Sequence, residues 1–264
     1  MTREAIELSK PVTAQRLLER IDRIGEELAS TPHGMALIGL GSIGQDTARL
    51  DAFSDLDFFA IVEQGAKQRY LQQLDWLDRI APVTWHFQNT VDGVKLLFHD
   101  DIFCEFAVFE PHEIGGIPFS AGRVIWKRDD IDASIASPRL PEPRPADHSI
   151  DWCLNEALSN LLVGAGRYRR GEKLSAFRFV QQHAVDRVIE LIERTWDSDN
   201  FSRDPFASDR RFELRYPEFA PLISAFMPGY RDTPRAVLAM LEFLDLHWDV
   251  PAALARHIET LARR

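Results

Sequence analysis

The chain changes hydrophobic period once, and it does so across prolines. SPRLPEPRPADHS, residues 137–149, holds four prolines in thirteen positions. Proline fixes φ and carries no N–H, so the run neither continues a helix nor enters a central strand, and it predicts an extended linker. Before it lie short apolar runs punctuated by Gly, Asp and Ser, with helical segments between them. Beyond it almost every segment carries apolar residues at helical spacing. The expected layout is an α/β domain over 1–136, a linker over 137–149 and an all-helical domain over 150–264. Each half is long enough to bury its own core.

Within the first half, residues 12–29 place Leu17, Leu18, Ile21, Ile24 and Leu28 at helical spacing. MALIGLG (35–41) predicts a short buried strand ending in glycine, and IGQDTARLD a helical turn or short helix. SDLDFFAIV (54–62) starts at a turn residue and runs into an apolar strand. Helical period returns over 67–80 with Leu71, Leu74, Leu77 and Ile80. Residues 84–110 hold three strand-like runs, the first two joined by a turn containing Asp92 and Gly93, and 122–128 offers one more. In the second half, helices are expected near 150–171, 175–196, 217–227, 233–246 and 250–262, with a loop over 197–211.

Asp55 and Asp57 interrupt the apolar pattern. Side chains at i and i+2 of a strand share a face, so the two carboxylates point the same way and Leu56 points opposite. Neighbouring carboxylates repel, and burial makes both worse. A divalent cation removes that problem, and Mg²⁺ takes carboxylates together with substrate phosphates. Taken alone, a solvated strand edge explains SDLD equally well. Upstream, Gly41 and Ser42 lie between a strand and a helical turn, where backbone N–H groups and a hydroxyl can meet phosphate oxygens. Downstream, Glu105 stands in the apolar run IFCEFAVF, with Phe103 and Ala107 at i±2. It is either paired with a neighbouring Lys or Arg, or a third acidic residue that binds metal or takes a proton. As a third ligand it should converge with Asp55 and Asp57 to within about 5 Å.

The net charge of −10 argues against loose binding to nucleic acid, and it suits either a cationic small substrate or plain solubility. Cys104 and Cys153 are the only cysteines, too few for a disulfide framework and too far apart for a thiol-pair motif. Cys104, inside its apolar run, reads as a small buried residue. No apolar run approaches the roughly 18 residues of a membrane span. The start, MTREAIELSKP, lacks the basic-then-apolar pattern of an export signal. A cytoplasmic protein without a membrane partner is the expectation.

Together, Leu40-Gly41-Ser42, twelve intervening residues, Asp55-Leu56-Asp57-Phe58 and then Glu105 resemble the signature of the nucleotidyltransferase superfamily. The layout is similar to that of small antibiotic nucleotidyltransferases, the aminoglycoside and lincosamide enzymes. The resemblance implies an α+β fold, with a nucleotidyltransferase-like N-terminal domain whose mixed β-sheet is flanked by helices, followed by an all-helical substrate-binding domain. It implies Mg²⁺-dependent transfer of a nucleoside monophosphate from ATP or another nucleoside triphosphate to a hydroxyl of a small molecule, releasing pyrophosphate. An antibiotic acceptor, and hence antibiotic resistance, follows from the subfamily likeness. Asp55, Asp57 and Glu105 would be the metal and catalytic residues. Gly41, Ser42 and Arg49, the first basic residue after the turn, would meet the nucleotide. Two other readings stand beside this one: a toxin–antitoxin type enzyme acting on protein or RNA, and a non-catalytic nucleotide-binding module.

The helical half offers further candidates. Arg178, Gln182 and Asp186 are spaced by four and form one polar stripe, either a solvated face or one from which Arg178 touches phosphate. Lys173 is a second basic residue for the nucleotide, and His183 reads as a cap or core-edge group. Trp85, His86, Trp152, Glu156 and Tyr168 are the candidates for the acceptor, although aromatics are equally ordinary core material. An oligomer is compatible with the layout, and nothing in the sequence requires one.

Overall fold

The computed structural model describes residues 11–141, 147–199, 201, 203–204 and 206–263. The chain divides into two compact units, Met1–Glu142 and Pro143–Arg264. Of the linker expected over 137–149, residues 142–146 lie outside the described residues, as do residues 1–10 of the N-terminal stretch.

The first unit opens with helix α1 (Ala14–Ser30), capped by Thr13, whose side chain accepts the Arg16 N–H. Its strands are β1 (Gly34–Gly39), β2 (Leu56–Val62), β3 (Val83–Gln88), β4 (Gly93–Phe98), β5 (Phe103–Phe109) and β6 (Arg123–Lys127). Two short helices, α2 (Lys67–Gln72) and α3 (Asp75–Asp78), lie between β2 and β3. The sheet order is β3-β4-β5-β2-β1-β6. Strands β2 and β5 run parallel and all other neighbours antiparallel, so the sheet is mixed.

One face of the sheet holds the main core. Leu56, Phe58, Ala60 and Val62 of β2, with Val94, Leu96 and Phe98 of β4 and Cys104, Phe106 and Val108 of β5, pack with Leu17, Ile21, Ile24 and Leu28 of α1. Tyr70, Leu71, Trp76 and Leu77 of α2 and α3 join the same cluster. The alternate strand residues point to the other face, where a smaller core gathers Ala36, Ile38, Ile61, Phe109, Ile114 and Phe119. Where β2 and β5 begin, that second face carries Asp57 and Glu105 in place of apolar groups.

The single helix expected over 67–80 is broken at Gln73, whose backbone is extended (φ −122°, ψ 103°). A continuous helix turns about 100° per residue and would swing Trp76 roughly 120° away from Tyr70. The break lets Tyr70, Leu71, Trp76 and Leu77 all reach the core.

The second unit is helical: α4 (Ile150–Arg169), α5 (Lys173–Arg178), α6 (Val185–Thr195), α7 (Phe212–Arg215), α8 (Ala220–Phe226), α9 (Thr233–His247) and α10 (Ala252–Arg263). Helix α4 buries Leu154, Ala157, Leu158, Leu161 and Ala165 at helical spacing, in one cluster with Val180, Val188, Ile192, Val237, Met240 and Leu244. The helix expected over 175–196 forms as α5, a π-helical turn at Phe179–Ala184, and α6. That wider turn carries the fully buried Gln181. Its amide nitrogen donates to the Gly229 carbonyl at 2.9 Å and to Thr233 Oγ1 at 3.1 Å, and its oxygen accepts the Gly229 N–H at 2.9 Å. Among the described residues, no helix is long and apolar enough to cross a membrane.

Candidate active site

Strand β1 ends at Gly39, and Leu40 leaves it with its N–H donating to the Asp57 carbonyl at 2.8 Å. That bond ties the turn that follows to the start of β2. The turn, Gly41–Ile43, is closed by the Ile43 N–H on the Leu40 carbonyl and the Gly44 N–H on the Gly41 carbonyl, at 3.2 and 3.1 Å. Gly41 has φ +54°, in the left-handed region, and a Cβ added there would stand 3.2 Å from Asp57 Oδ2. Glycine thus lets the backbone turn tightly against a carboxylate. Ser42 follows, half-buried. From the other side Arg123 of β6, paired with Gly39, donates Nε to the Ile43 carbonyl at 3.1 Å.

Asp55 precedes β2 and Asp57 is its second residue, both half-buried. Alternation along β2 directs Asp57 to the face opposite α1, α2 and α3, and Asp55 stands two residues before it. The parallel pairing of β2 with β5 sets Glu105 directly beside Asp57. One row then crosses the sheet, Glu105 facing Lys95 on β4 and Lys95 facing Phe87 on β3. Lys95 Nζ donates to Glu105 Oε1 at 2.7 Å. The pairing role left open for Glu105 is therefore filled. Among the described residues, one trio of metal-capable side chains has its ligand atoms within 4.8 Å of one another, and it is His148, Cys153 and Glu190, not the three strand carboxylates.

Trp85 stands one row along on the same face, opposite Leu97, with its ring 6.5 Å from that of Phe87. The two rings are 48% and 55% exposed. His86, between them in sequence, points to the opposite face, since successive strand side chains alternate. Trp85 therefore shares a face with the carboxylates and His86 does not. Arg49 meets Asp46 three residues back, Nε to Oδ2 at 2.6 Å, so its charge is matched locally. Cys104 is fully buried in the core, and that burial pushes its thiol far above the usual thiol range.

The remaining candidates lie in the helical unit. Glu156 lines a polar pocket of about 280 Å³ with Asn160, His183, Asp186 and Arg187. Trp152 stacks on His148 with ring centroids 3.6 Å apart. The Lys173 ammonium lies 5.4 Å above the Tyr168 ring, and the Tyr168 hydroxyl donates to the Arg231 carbonyl at 3.3 Å. Lys173 and Tyr168, expected at different ligands, thus meet each other. Arg178, Gln182 and Asp186 are all exposed.

Two residues at the strand site escaped the sequence reading. Lys95 interrupts the run GVKLLF as Glu105 interrupts its own, and the pairing becomes visible only once the hairpin fixes the register. Arg123 opens a strand with no local pattern that would send its guanidinium to the Ile43 carbonyl.

No family model matches the sequence, and no curated protein matches it. The solved structures similar to the chain include two that share 10% identity with it. One is an aminoglycoside 6-adenyltransferase from Bacillus subtilis, with a TM-score of 0.33 over 94% of this chain and 91% of that one. The other is a STING-associated c-di-GMP synthase, CdnE, from Capnocytophaga granulosa, with a TM-score of 0.31 over 95% of this chain and 78% of that one.

Proposed function

We propose that the chain is a nucleotidyltransferase that moves a nucleoside monophosphate from a nucleoside triphosphate to a hydroxyl of a small molecule and releases pyrophosphate. One observation carries the proposal. The Leu40–Asp57 hydrogen bond and the missing Cβ of Gly41 bring a Gly-Ser turn suited to phosphate against the Asp57 carboxylate, two residues along from Asp55.

The donor set suits Mg²⁺, being carboxylate oxygens on one sheet face with Glu105 beside them. Asp55 and Asp57 would hold the ion, which when bound neutralises triphosphate charge and stabilises the attacking and departing oxygens. The Ser42 hydroxyl and the backbone N–H groups of the turn orient the outer phosphates. Glu105 takes the proton from the acceptor hydroxyl as its oxygen attacks the α-phosphorus in line, and the bond from phosphorus to pyrophosphate breaks. Trp85 and Phe87 offer ring surface to the acceptor on the same face. The net charge of −10 suits a cationic acceptor, so aminoglycosides come first and lincosamides second.

The test supplies Mg²⁺, each of the four nucleoside triphosphates in turn, and a panel of aminoglycosides and lincosamides, and reads pyrophosphate release. The Asp57→Asn variant should keep its fold and lose turnover by on the order of 10²–10⁴-fold. Unchanged turnover in that variant sinks the assignment. The Lys95–Glu105 ion pair favours a second reading of one residue, in which Glu105 anchors the sheet and takes no proton.

A further inference from the structure

Helix α4 begins with an arrangement that usually joins two apolar side chains. Ser149 is its N-cap, the hydroxyl accepting the Trp152 N–H at 3.1 Å. The residue before an N-cap and the one four positions after it face each other, and a hydrophobic pair commonly fills them. Here those positions hold His148 and Cys153. Glu190 of α6 meets both, its Oε2 lying 3.1 Å from His148 Nδ1 and 3.2 Å from Cys153 Sγ. The three ligand atoms all lie within 4.8 Å of one another. Cys153 is fully buried, whereas the His148 and Glu190 side chains keep 27% and 22% of their exposure.

We propose that His148, Cys153 and Glu190 bind one zinc-class transition-metal ion. An imidazole nitrogen, a sulfur and a carboxylate oxygen together suit Zn²⁺ or Co²⁺ and do not suit the hard cations Mg²⁺ and Ca²⁺. Tetrahedral bonds of about 2.0–2.3 Å place ligand atoms roughly 3.3–3.6 Å apart. Two of the three separations are already close to that, and the third closes by a small movement of the His148 ring. Outer partners hold the ligands in place. Arg187 Nη2 lies 2.9 Å from Glu190 Oε1, leaving Oε2 toward the site, and the His148 ring lies flat on Trp152. On binding, the Cys153 thiol proton passes to solvent and the histidine coordinates through Nδ1 with its proton on Nε2. Thiolate and carboxylate then balance the dipositive ion, and water from the partly exposed side takes the fourth position. The ion fastens the first turn of α4 to α6 within the helical unit.

The test uses the full-length protein, stripped with a chelator and dialysed against Zn²⁺ alone or Co²⁺ alone. Wild type should retain about one zinc per chain. The cobalt form should show a near-ultraviolet thiolate-to-metal charge-transfer band, and zinc should raise the thermal midpoint. His148→Ala and Glu190→Gln should each weaken zinc binding at least tenfold, roughly as loss of a metal-orienting group does. Cys153→Ala should abolish the charge-transfer band. Circular dichroism establishes that each variant is folded, and the partly exposed His148 is the one whose loss disturbs the core least. Asp57→Asn should leave the band and the stoichiometry unchanged. No retained zinc in wild type, a cobalt spectrum without the thiolate band, or binding unaltered in folded His148→Ala overturns the proposal.

Discussion

Glu105 lies beside Asp57 on the parallel strands β5 and β2, yet its carboxylate is bound to Lys95 on the far side at 2.7 Å. The pair sits in the middle of one row that starts with carboxylates and ends on the Phe87 ring. It gives a single carboxylate two candidate uses, proton acceptor and sheet anchor.

Glu105→Gln and Lys95→Met separate those uses. A proton acceptor at Glu105 predicts that Glu105→Gln lowers kcat by about 10²-fold or more with KM for the nucleotide little changed, while Lys95→Met keeps most activity. An anchor alone predicts equal and small losses of stability, up to about 1 kcal/mol for so exposed a pair. Steady-state kinetics and urea unfolding of the two variants decide between them.

Gly41→Ala should damage the turn twice over. It forces a side chain into a backbone conformation that costs L-residues about 1–2 kcal/mol, and it sets a methyl against Asp57 Oδ2. Urea unfolding should show a loss of that size, and the KM for the nucleoside triphosphate should rise severalfold. A variant as stable and active as wild type would contradict the role given to the turn.

Gln181→Leu leaves the Gly229 N–H and the Thr233 hydroxyl without their buried partner. The expected cost is about 1–3 kcal/mol, read as a lower urea midpoint with the helical circular dichroism retained.

The acid side of the stability profile should carry a contribution from Glu63. Hydrogen bonds with His33 and Arg128, at 3.0 and 2.7 Å, hold its carboxyl below the ordinary value near 4.5. A carboxylate depressed in this way adds stability above its unfolded value and loses it as the pH falls through the folded one. The difference in urea midpoint between wild type and Glu63→Gln should be open at about pH 6 and should close below about pH 4.5. A difference that stays constant through that range would remove Glu63 from the account.

Periodicity made the two halves legible, because strands and helices repeat their apolar residues at different intervals. The placing of Asp57 on the face opposite Leu56 was legible for the same reason, since strand side chains alternate. What stayed hidden depends on register and on turns of irregular width. Lys95 reaches Glu105 only because the hairpin after β4 fixes which residues of β4 and β5 stand opposite. The break at Gln73 follows from the need to bury Trp76 and Leu77 on the same side as Tyr70 and Leu71, and the π-helical turn carries the buried Gln181, neither of which has a local sequence signal. His148, Cys153 and Glu190 are joined by a helix cap and a neighbouring helix, so spacing along the chain cannot reveal them.

The row that runs from Glu105 through Lys95 to Phe87 is also a ruler. Adjacent strands stand about 4.8 Å apart, so the carboxylate and the aromatic ring are separated by two steps, or roughly 10 Å. An acceptor that gives its hydroxyl proton to Glu105 at one end and stacks on Phe87 at the other would be about two linked rings long. Phe87→Ala should therefore raise the KM of multi-ring acceptors and leave single-ring acceptors nearly untouched, making the sheet itself the gauge of substrate length.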